Sequence, residues 1–140
     1  MTKTKHSVHD LTYHIVLVTK YRKPCINDAI REKLTFYFKR SIESNGGEIV
    51  ECNFDIDHAH LLVKLPPTCC LATMIGNMKL VSSRMVRKEF QGYLKQYLYG
   101  DSFWSDSYYV STAGGATIDI IKQYIENQGK PKRKYTKHSS

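Results

Sequence analysis

Apolar residues recur along this chain with two periods, and the change from one to the other marks its elements. Thr12 to Thr19 is rich in β-branched and aromatic types and predicts a strand, followed by a turn at Lys20-Tyr21-Arg22-Lys23-Pro24. Asn27 can cap a helix whose apolar residues, Ile30, Leu34, Phe38 and Ile42, return at every fourth position. Asn45-Gly46-Gly47 stops it. Period two then takes over. Val50, Cys52, Phe54 and Ile56 alternate with Glu51, Asn53 and Asp55. Beyond a tight connection at Asp55-Ile56-Asp57, Ala59, Leu61, Val63 and Leu65 share one strand face and leave His58, His60, Leu62 and Lys64 on the other. Pro66-Pro67 ends the pair. A second helical stripe, Leu71, Met74, Ile75, Met78, Val81 and Met85, predicts a helix from about Leu71 to Phe90 with Arg84 and Arg87 on its exposed side. A short strand from Tyr108 to Thr112, a break at Gly114-Gly115 and a last helix from about Thr117 to Gln128 complete the order.

That order, β-α-β-β-α-β with one further helix, predicts an α+β fold: a ferredoxin-like antiparallel sheet with two helices on one face and an additional C-terminal helix. The face carrying His58 and His60 is the one those two helices leave open. With 140 residues, one domain over 1–128 and a short tail over 129–140 account for the whole chain.

Charge adds a partner. The chain has 21 Lys+Arg against 13 Asp+Glu, net +8, which favours a polyanion. Five of those cations, Lys130, Lys132, Arg133, Lys134 and Lys137, lie in the tail, and removing them from the 21 leaves 16 against 13. Much of the surplus is thus expected on a flexible basic arm. The tail has only Tyr135 as a large apolar residue, so nucleic acid suits it better than a membrane surface. The apolar run Ile15-Val16-Leu17-Val18 is far too short to span a bilayer. Cys25, Cys52 and the adjacent Cys69 and Cys70 make a poor disulfide framework and point to a reducing cytoplasm.

Two groups carry possible chemistry. In Asp57-His58-Ala59-His60, residues i and i+2 of a strand project from one face, with Cα atoms roughly 6.5 Å apart, so the imidazoles can fill adjacent positions around one metal ion. Two ordinary strand histidines would look the same, except that the alternation puts both on the face the core does not need. In the last helix Ile118, Ile121 and Ile125 form a stripe, and Tyr124 and Gln128 stand one turn apart along its border. There a phenol and an amide oxygen could reach a site on the sheet.

With these residues in place the chain resembles the single-tyrosine HUH transposases of small bacterial insertion sequences, named for a His–hydrophobic–His pair. The likeness runs through Tyr13-His14-Ile15-Val16, Lys20-Tyr21-Arg22-Lys23, Asp57-His58-Ala59-His60-Leu61-Leu62, Ser82-Ser83-Arg84, Trp104 and Ser111-Thr112-Ala113-Gly114-Gly115. Its most specific part is Lys122-Gln123-Tyr124-Ile125-Glu126-Asn127-Gln128, the Y-x-x-x-Q of a catalytic helix. Ala59 is a small version of the middle hydrophobic residue. The resemblance implies that His58, His60 and the Gln128 oxygen bind Mg²⁺ or Mn²⁺. It implies that Tyr124 attacks single-stranded DNA to give a 5′-phosphotyrosine and a free 3′-OH. It also implies imperfect DNA hairpins as ligands and a homodimer whose active sites are shared between chains. Lys20, Arg22, Lys23, Arg84 and Arg87, with Lys130, Lys132 and Arg133 of the tail, are then the expected DNA phosphate contacts. Trp104, Tyr108 and Tyr109 are expected in the core or at its boundary, and His14, in phase with Val16 and Val18, as structural.

Three other readings compete. An RNA-binding module on the same fold would need stacking aromatics on the sheet in a motif that is absent. A structural zinc site would draw on Cys52, His58, His60 and Cys69 or Cys70, but Cys52 stands alone and H-x-H is tighter than the usual pairing. A host-adopted relative that processes chromosomal palindromes would keep the same active site.

Overall fold

The computed structural model describes residues 10–98, 100, 102–112 and 118–128. Gly114-Gly115, the side chain of Ile118 and the basic tail with Lys130, Lys132 and Arg133 lie outside the described residues. The elements are β1 (Leu11–Val18), α1 (Asp28–Ser44), β2 (Glu48–Phe54), β3 (His58–Leu65), α2 (Leu71–Glu89), the single turn α3 (Gln91–Leu94), β4 (Tyr109–Thr112) and α4 (Ile118–Asn127). The strands lie in the order β2-β3-β1-β4 with every neighbouring pair antiparallel. Each helical crossover, β1-α1-β2 and β3-α2-β4, therefore joins two parallel strands across an intervening one. Both helices land on the same face. This is the ferredoxin-like α+β arrangement the pattern predicts.

The inner face shows why the chain folds this way. Ile15, Leu17, Ala59, Leu61, Val63 and Leu65 are buried against Ile30, Leu34, Phe38 and Ile42 of α1 and Met74, Ile75, Met78 and Val86 of α2. The Asn27 side-chain oxygen accepts from the backbone N–H of Ile30 at 2.9 Å, satisfying one of the donors that the first helical turn leaves free. At the other end Gly46 takes φ +84°, a left-handed conformation that closes the helix. Gly47 passes so close to β3 that a Cβ there would strike the Lys64 carbonyl oxygen.

Three details depart from the sequence pattern. In β2 a register shift between Ile49 and Glu51 puts Ile49, Cys52 and Phe54 toward the core and turns Val50 out, 47% exposed. Ile56, at the connection to β3, is exposed as well. In α2 the buried line runs from Met78 to Ser82, Ser83 and Val86 rather than through Val81 and Met85. The reason is polar: Trp104 Nε1 donates to Ser82 Oγ at 3.0 Å and the Phe103 N–H to Ser83 Oγ at 3.1 Å, so two serines belong inside. Arg84 is exposed, while Arg87 is half-buried rather than fully exposed. Finally, Leu94 and Leu98 add a buried extension around α3 for which the sequence shows no periodic signal.

The turn after β1 is unusual. Tyr21 and Arg22 both adopt left-handed backbone conformations, φ 55° and 57°, in residues that carry a full side chain. Among the described residues no helix is long and apolar enough to cross a membrane.

Candidate active site on the outer face of the sheet

The strand register assembles the site. His60 stands opposite Val16 and His58 opposite Val18, while Tyr109 of β4 flanks Val16 from the other side. Directly opposed residues share a face. His58, His60, Val16, Val18 and Tyr109 therefore line one outer surface, and α4 crosses it. Ile121 of α4 is buried on Val16 and Val18, with Tyr109, Tyr124 and Ile125 packed around that cluster. The Tyr124 and Tyr109 rings are 5.6 Å apart.

Tyr124 is half-buried, and its hydroxyl lies 2.9 Å from Ser107 Oγ, which also donates to Gln128 Oε1 at 3.4 Å. One serine thus touches both Tyr124 of the helix and Gln128 in the turn that ends it. Burial pushes the Tyr124 phenol above its usual value, and hydrogen bonds with Ser107 and Ser105 pull in the opposite direction without cancelling it. The loop beneath is anchored by Lys79 of α2, whose ammonium donates to the carbonyl oxygens of Ser105 (2.8 Å) and Ser107 (3.1 Å). Lys20 adds an ion pair with Asp106 at 2.9 Å.

Each histidine has a distinct partner. His58 Nδ1 sits 2.9 Å from Asp57 Oδ1, and the other carboxylate oxygen accepts from Arg22 Nε at 2.9 Å. Burial alone would raise the Asp57 pKa, but hydrogen bonds and charge from His58 and Arg22 outweigh it and hold the carboxylate ionised. His60 Nε2 is 3.0 Å from His14 Nδ1, the two rings stacked at 5.2 Å. Burial, then the neighbouring imidazoles His14 and His58, push the His60 pKa down, so the ring is neutral, the form a metal requires.

This donor set fits a divalent ion. With Nδ1 bonded to a carboxylate, His58 keeps Nε2 for a ligand, the outer-sphere arrangement usual for metal-binding histidines. Among the described residues no group of three or more His, Cys, Asp or Glu side chains is placed to hold a metal. A third donor would have to be of another kind, and the Gln128 amide, in the turn that ends α4, is of that kind. The zinc reading fails on geometry: Cys52 pairs with Leu61 and faces the inner core, away from both histidines.

The expected phosphate contacts divide. Arg22 is engaged with Asp57 and Lys20 with Asp106, whereas Arg84 and Arg87 line an open groove of about 450 Å³ with Leu80, Ser83, Lys88 and Gln91. Two residues of the site escape the sequence reading. His14 is read there as structural, yet its ring lies against His60; its phase marks the correct face, but only the β1–β3 register brings it near. Ser107 has no sequence signal at all.

Comparison with known proteins gives the family of the chain. Residues 7–128 match the family described as "Transposase IS200 like". The chain is 32% identical over 123 residues to the "Transposase for insertion sequence element IS200" of Salmonella typhimurium, covering 88% of this chain and 80% of that one. It is 29% identical over 130 residues to the "ISDra2 transposase TnpA" of Deinococcus radiodurans, covering 91% of each. The crystal structure of a putative transposase from Deinococcus radiodurans superposes with a TM-score of 0.79 at 30% identity, over 94% of this chain and all of that one. A REP-associated tyrosine transposase bound to a REP hairpin shares the fold, with a TM-score of 0.50 at 11% identity over 83% of this chain and 62% of that one. A strand presenting His58 and His60, a helix presenting Tyr124 and a match along nearly the whole chain converge: this protein belongs to the IS200-like transposases.

Proposed function

We propose that this transposase cleaves and rejoins single-stranded DNA at insertion-sequence ends through a 5′-phosphotyrosine on Tyr124. The observation that carries this reading is the common outer face: Tyr124 packs against the cluster of Val16, Val18 and Ile121, and those two valines pair directly with His60 and His58. In cleavage the Tyr124 oxygen forms a bond to phosphorus, the bond to the 3′ oxygen breaks, and that oxygen leaves as the 3′-OH. Rejoining runs the same exchange backwards. Because one phosphoester replaces another, no nucleotide cofactor is consumed, in keeping with a chain that has no G-x-x-x-x-G-K-[ST] loop.

The phenol, with its pKa raised, is a poor nucleophile at neutral pH. Mg²⁺ or Mn²⁺ bound by His58, His60 and Gln128 would supply polarisation of the scissile phosphate and stabilise its developing charge. The protein's own part is to hold the phenol at Ser107, to keep His60 neutral and to fix His58 against Asp57. Imperfect DNA hairpins are the proposed ligand, gripped at their phosphates by Lys23, Arg84, Arg87 and the basic tail. The free cysteines suit the cytoplasm as the compartment.

The proposed assembly is a homodimer in which α4 of each chain completes the site of the other. In the single chain α4 lies on its own sheet, through the apolar contacts that would serve equally on a neighbour's. Mixing a His60→Ala chain with a Tyr124→Phe chain decides between them: exchange restores one intact site per mixed dimer, and closure within each chain restores none.

The direct test incubates the protein and Mg²⁺ with single-stranded DNA from its own flanking locus and looks for a covalent protein–DNA band under denaturing conditions. Wild type should form it, and EDTA or Tyr124→Phe should abolish it. A band that survives Tyr124→Phe would move the nucleophile to Tyr108 or Tyr109.

A further inference from the structure

The left-handed turn after β1 has no explanation in the core. Tyr21 is 67% exposed, so no burial offsets its backbone conformation. What the turn achieves is at its end, where Arg22 reaches Asp57. The two segments leave the sheet side by side, because Val18 and His58 form the last pair of the β1–β3 ladder. Thr19 ties the turn to the Asp57 main chain: its N–H donates to the Asp57 carbonyl at 3.0 Å, and its single hydroxyl proton is shared between the Lys23 carbonyl at 2.8 Å and the Asp57 carbonyl at 3.2 Å. Arg22 holds the Asp57 side chain through Oδ2, and Oδ1 is left for His58 Nδ1. Asp57 is 8% exposed, so little water competes for these oxygens.

We propose that Tyr21 and Arg22 form a positioning device for the candidate metal site, in which the turn sets Arg22 against Asp57 and Asp57 fixes His58 with its proton on Nδ1. The inference rests on the metal-centre reading above and assigns Arg22 a role other than phosphate contact. Its logic is donor counting. An ionised carboxylate only accepts, so His58 Nδ1 must carry the hydrogen and Nε2 keeps its lone pair for a cation. Arg22 determines which carboxylate oxygen is free and prevents Asp57 from turning away.

The consequence is specific for Asp57→Asn. Arg22 Nε–H needs an acceptor and claims the amide oxygen, which turns the NH₂ toward His58. A donor there forces the proton to His58 Nε2, the nitrogen the cation needs.

The test uses the full chain as wild type, Asp57→Asn and Arg22→Ala. In metal-free protein, ¹⁵N ring correlations report the His58 tautomer. Titration with Mn²⁺ alone gives metal affinity, and hairpin affinity is measured separately in EDTA. Wild type should show the Nδ1–H form and Asp57→Asn the Nε2–H form. Both variants should lose about 10- to 100-fold in Mn²⁺ affinity, with hairpin affinity within about threefold of wild type. An unchanged tautomer and unchanged Mn²⁺ affinity in Asp57→Asn would overturn the proposal. So would an Arg22→Ala chain whose main loss is in hairpin binding, since that marks a phosphate contact. Asp57→Asn preserves shape and keeps the test decisive should Arg22→Ala fail to fold. A wild-type chain that takes up no Mn²⁺ would defeat the metal-centre reading, while the tautomer would still decide the Arg22–Asp57–His58 chain.

Discussion

The two faces of one sheet are built from alternate residues of the same strands, and they are organised by opposite rules. On the inner face Ile15, Leu17, Leu61, Val63 and Leu65 meet two long helices and lie at 0 to 1% exposure. On the outer face His14, His58 and His60 are only partly buried, and a single ten-residue helix crosses Val16 and Val18. The contacts of these five strand residues with the helices are apolar and replaceable by others of similar volume. The outer contacts are particular pairs: Asp57 with His58, His14 with His60, Ser107 with Tyr124. If the inner face supplies stability and the outer face the proposed chemistry, mutations should separate the two.

The largest separation is expected at His60. On the proposed metal-dependent reaction, His60→Ala should leave thermal unfolding nearly unchanged, yet lower covalent adduct formation about a thousandfold or more, the several kcal/mol that a metal contributes at a phosphoryl centre. A folded His60→Ala chain with wild-type adduct yield would break the comparison. Phe38→Ala is its counterpart inside. Losing that fully buried ring should cost about 3–5 kcal/mol in urea unfolding, with adduct yield per folded molecule unaltered. A smaller effect is expected from Ser107→Ala, about tenfold in adduct rate and about 1 kcal/mol in stability. Here the sign of the pH dependence is informative. The Ser107 hydrogen bond lowers the Tyr124 pKa, so its removal should move the pH–rate profile to higher pH. A shift to lower pH would show that Ser107 does not favour the phenolate. The mildest probe is thiol labelling under native conditions. Cys25 is buried and Cys52 half-buried, and burial pushes their pKa values up to about 12 and about 11, while Cys70 is exposed and its pKa lowered by its hydrogen bonds with Thr73. Iodoacetamide at neutral pH should modify Cys70 first and reach Cys25 and Cys52 only on unfolding.

The same contrast explains what was legible in the sequence. Repetition marks the inner face: four apolar residues of α1 at constant spacing behind Asn27, and the unbroken alternation of β3. Repetition fails where one residue breaks it, as at the Ile49/Glu51 bulge, and where a polar residue belongs inside because its partner is distant, as with Ser82 and Trp104. On the outer face His58 and His60 are legible as a pair because they sit within one strand, and Tyr124 and Gln128 because they are four residues apart at the end of one helix, Gln128 falling in the turn just beyond it. His14 and Ser107 are not. Their significance depends on which strand neighbours which and on where an irregular loop passes, and neither leaves a periodic trace.

Lys79 carries a last consequence. It reaches from the helical layer to the loop under Tyr124 and holds it by hydrogen bonds to two main-chain carbonyls, with the Tyr108 ring 5.6 Å from the ammonium. A grip on the main chain is indifferent to what residues 105 and 107 are. In a lineage of such transposases the group beneath the proposed nucleophile can therefore change by single substitutions while the loop keeps its path, so that the acidity of the phenol becomes a property evolution can adjust without rebuilding the scaffold.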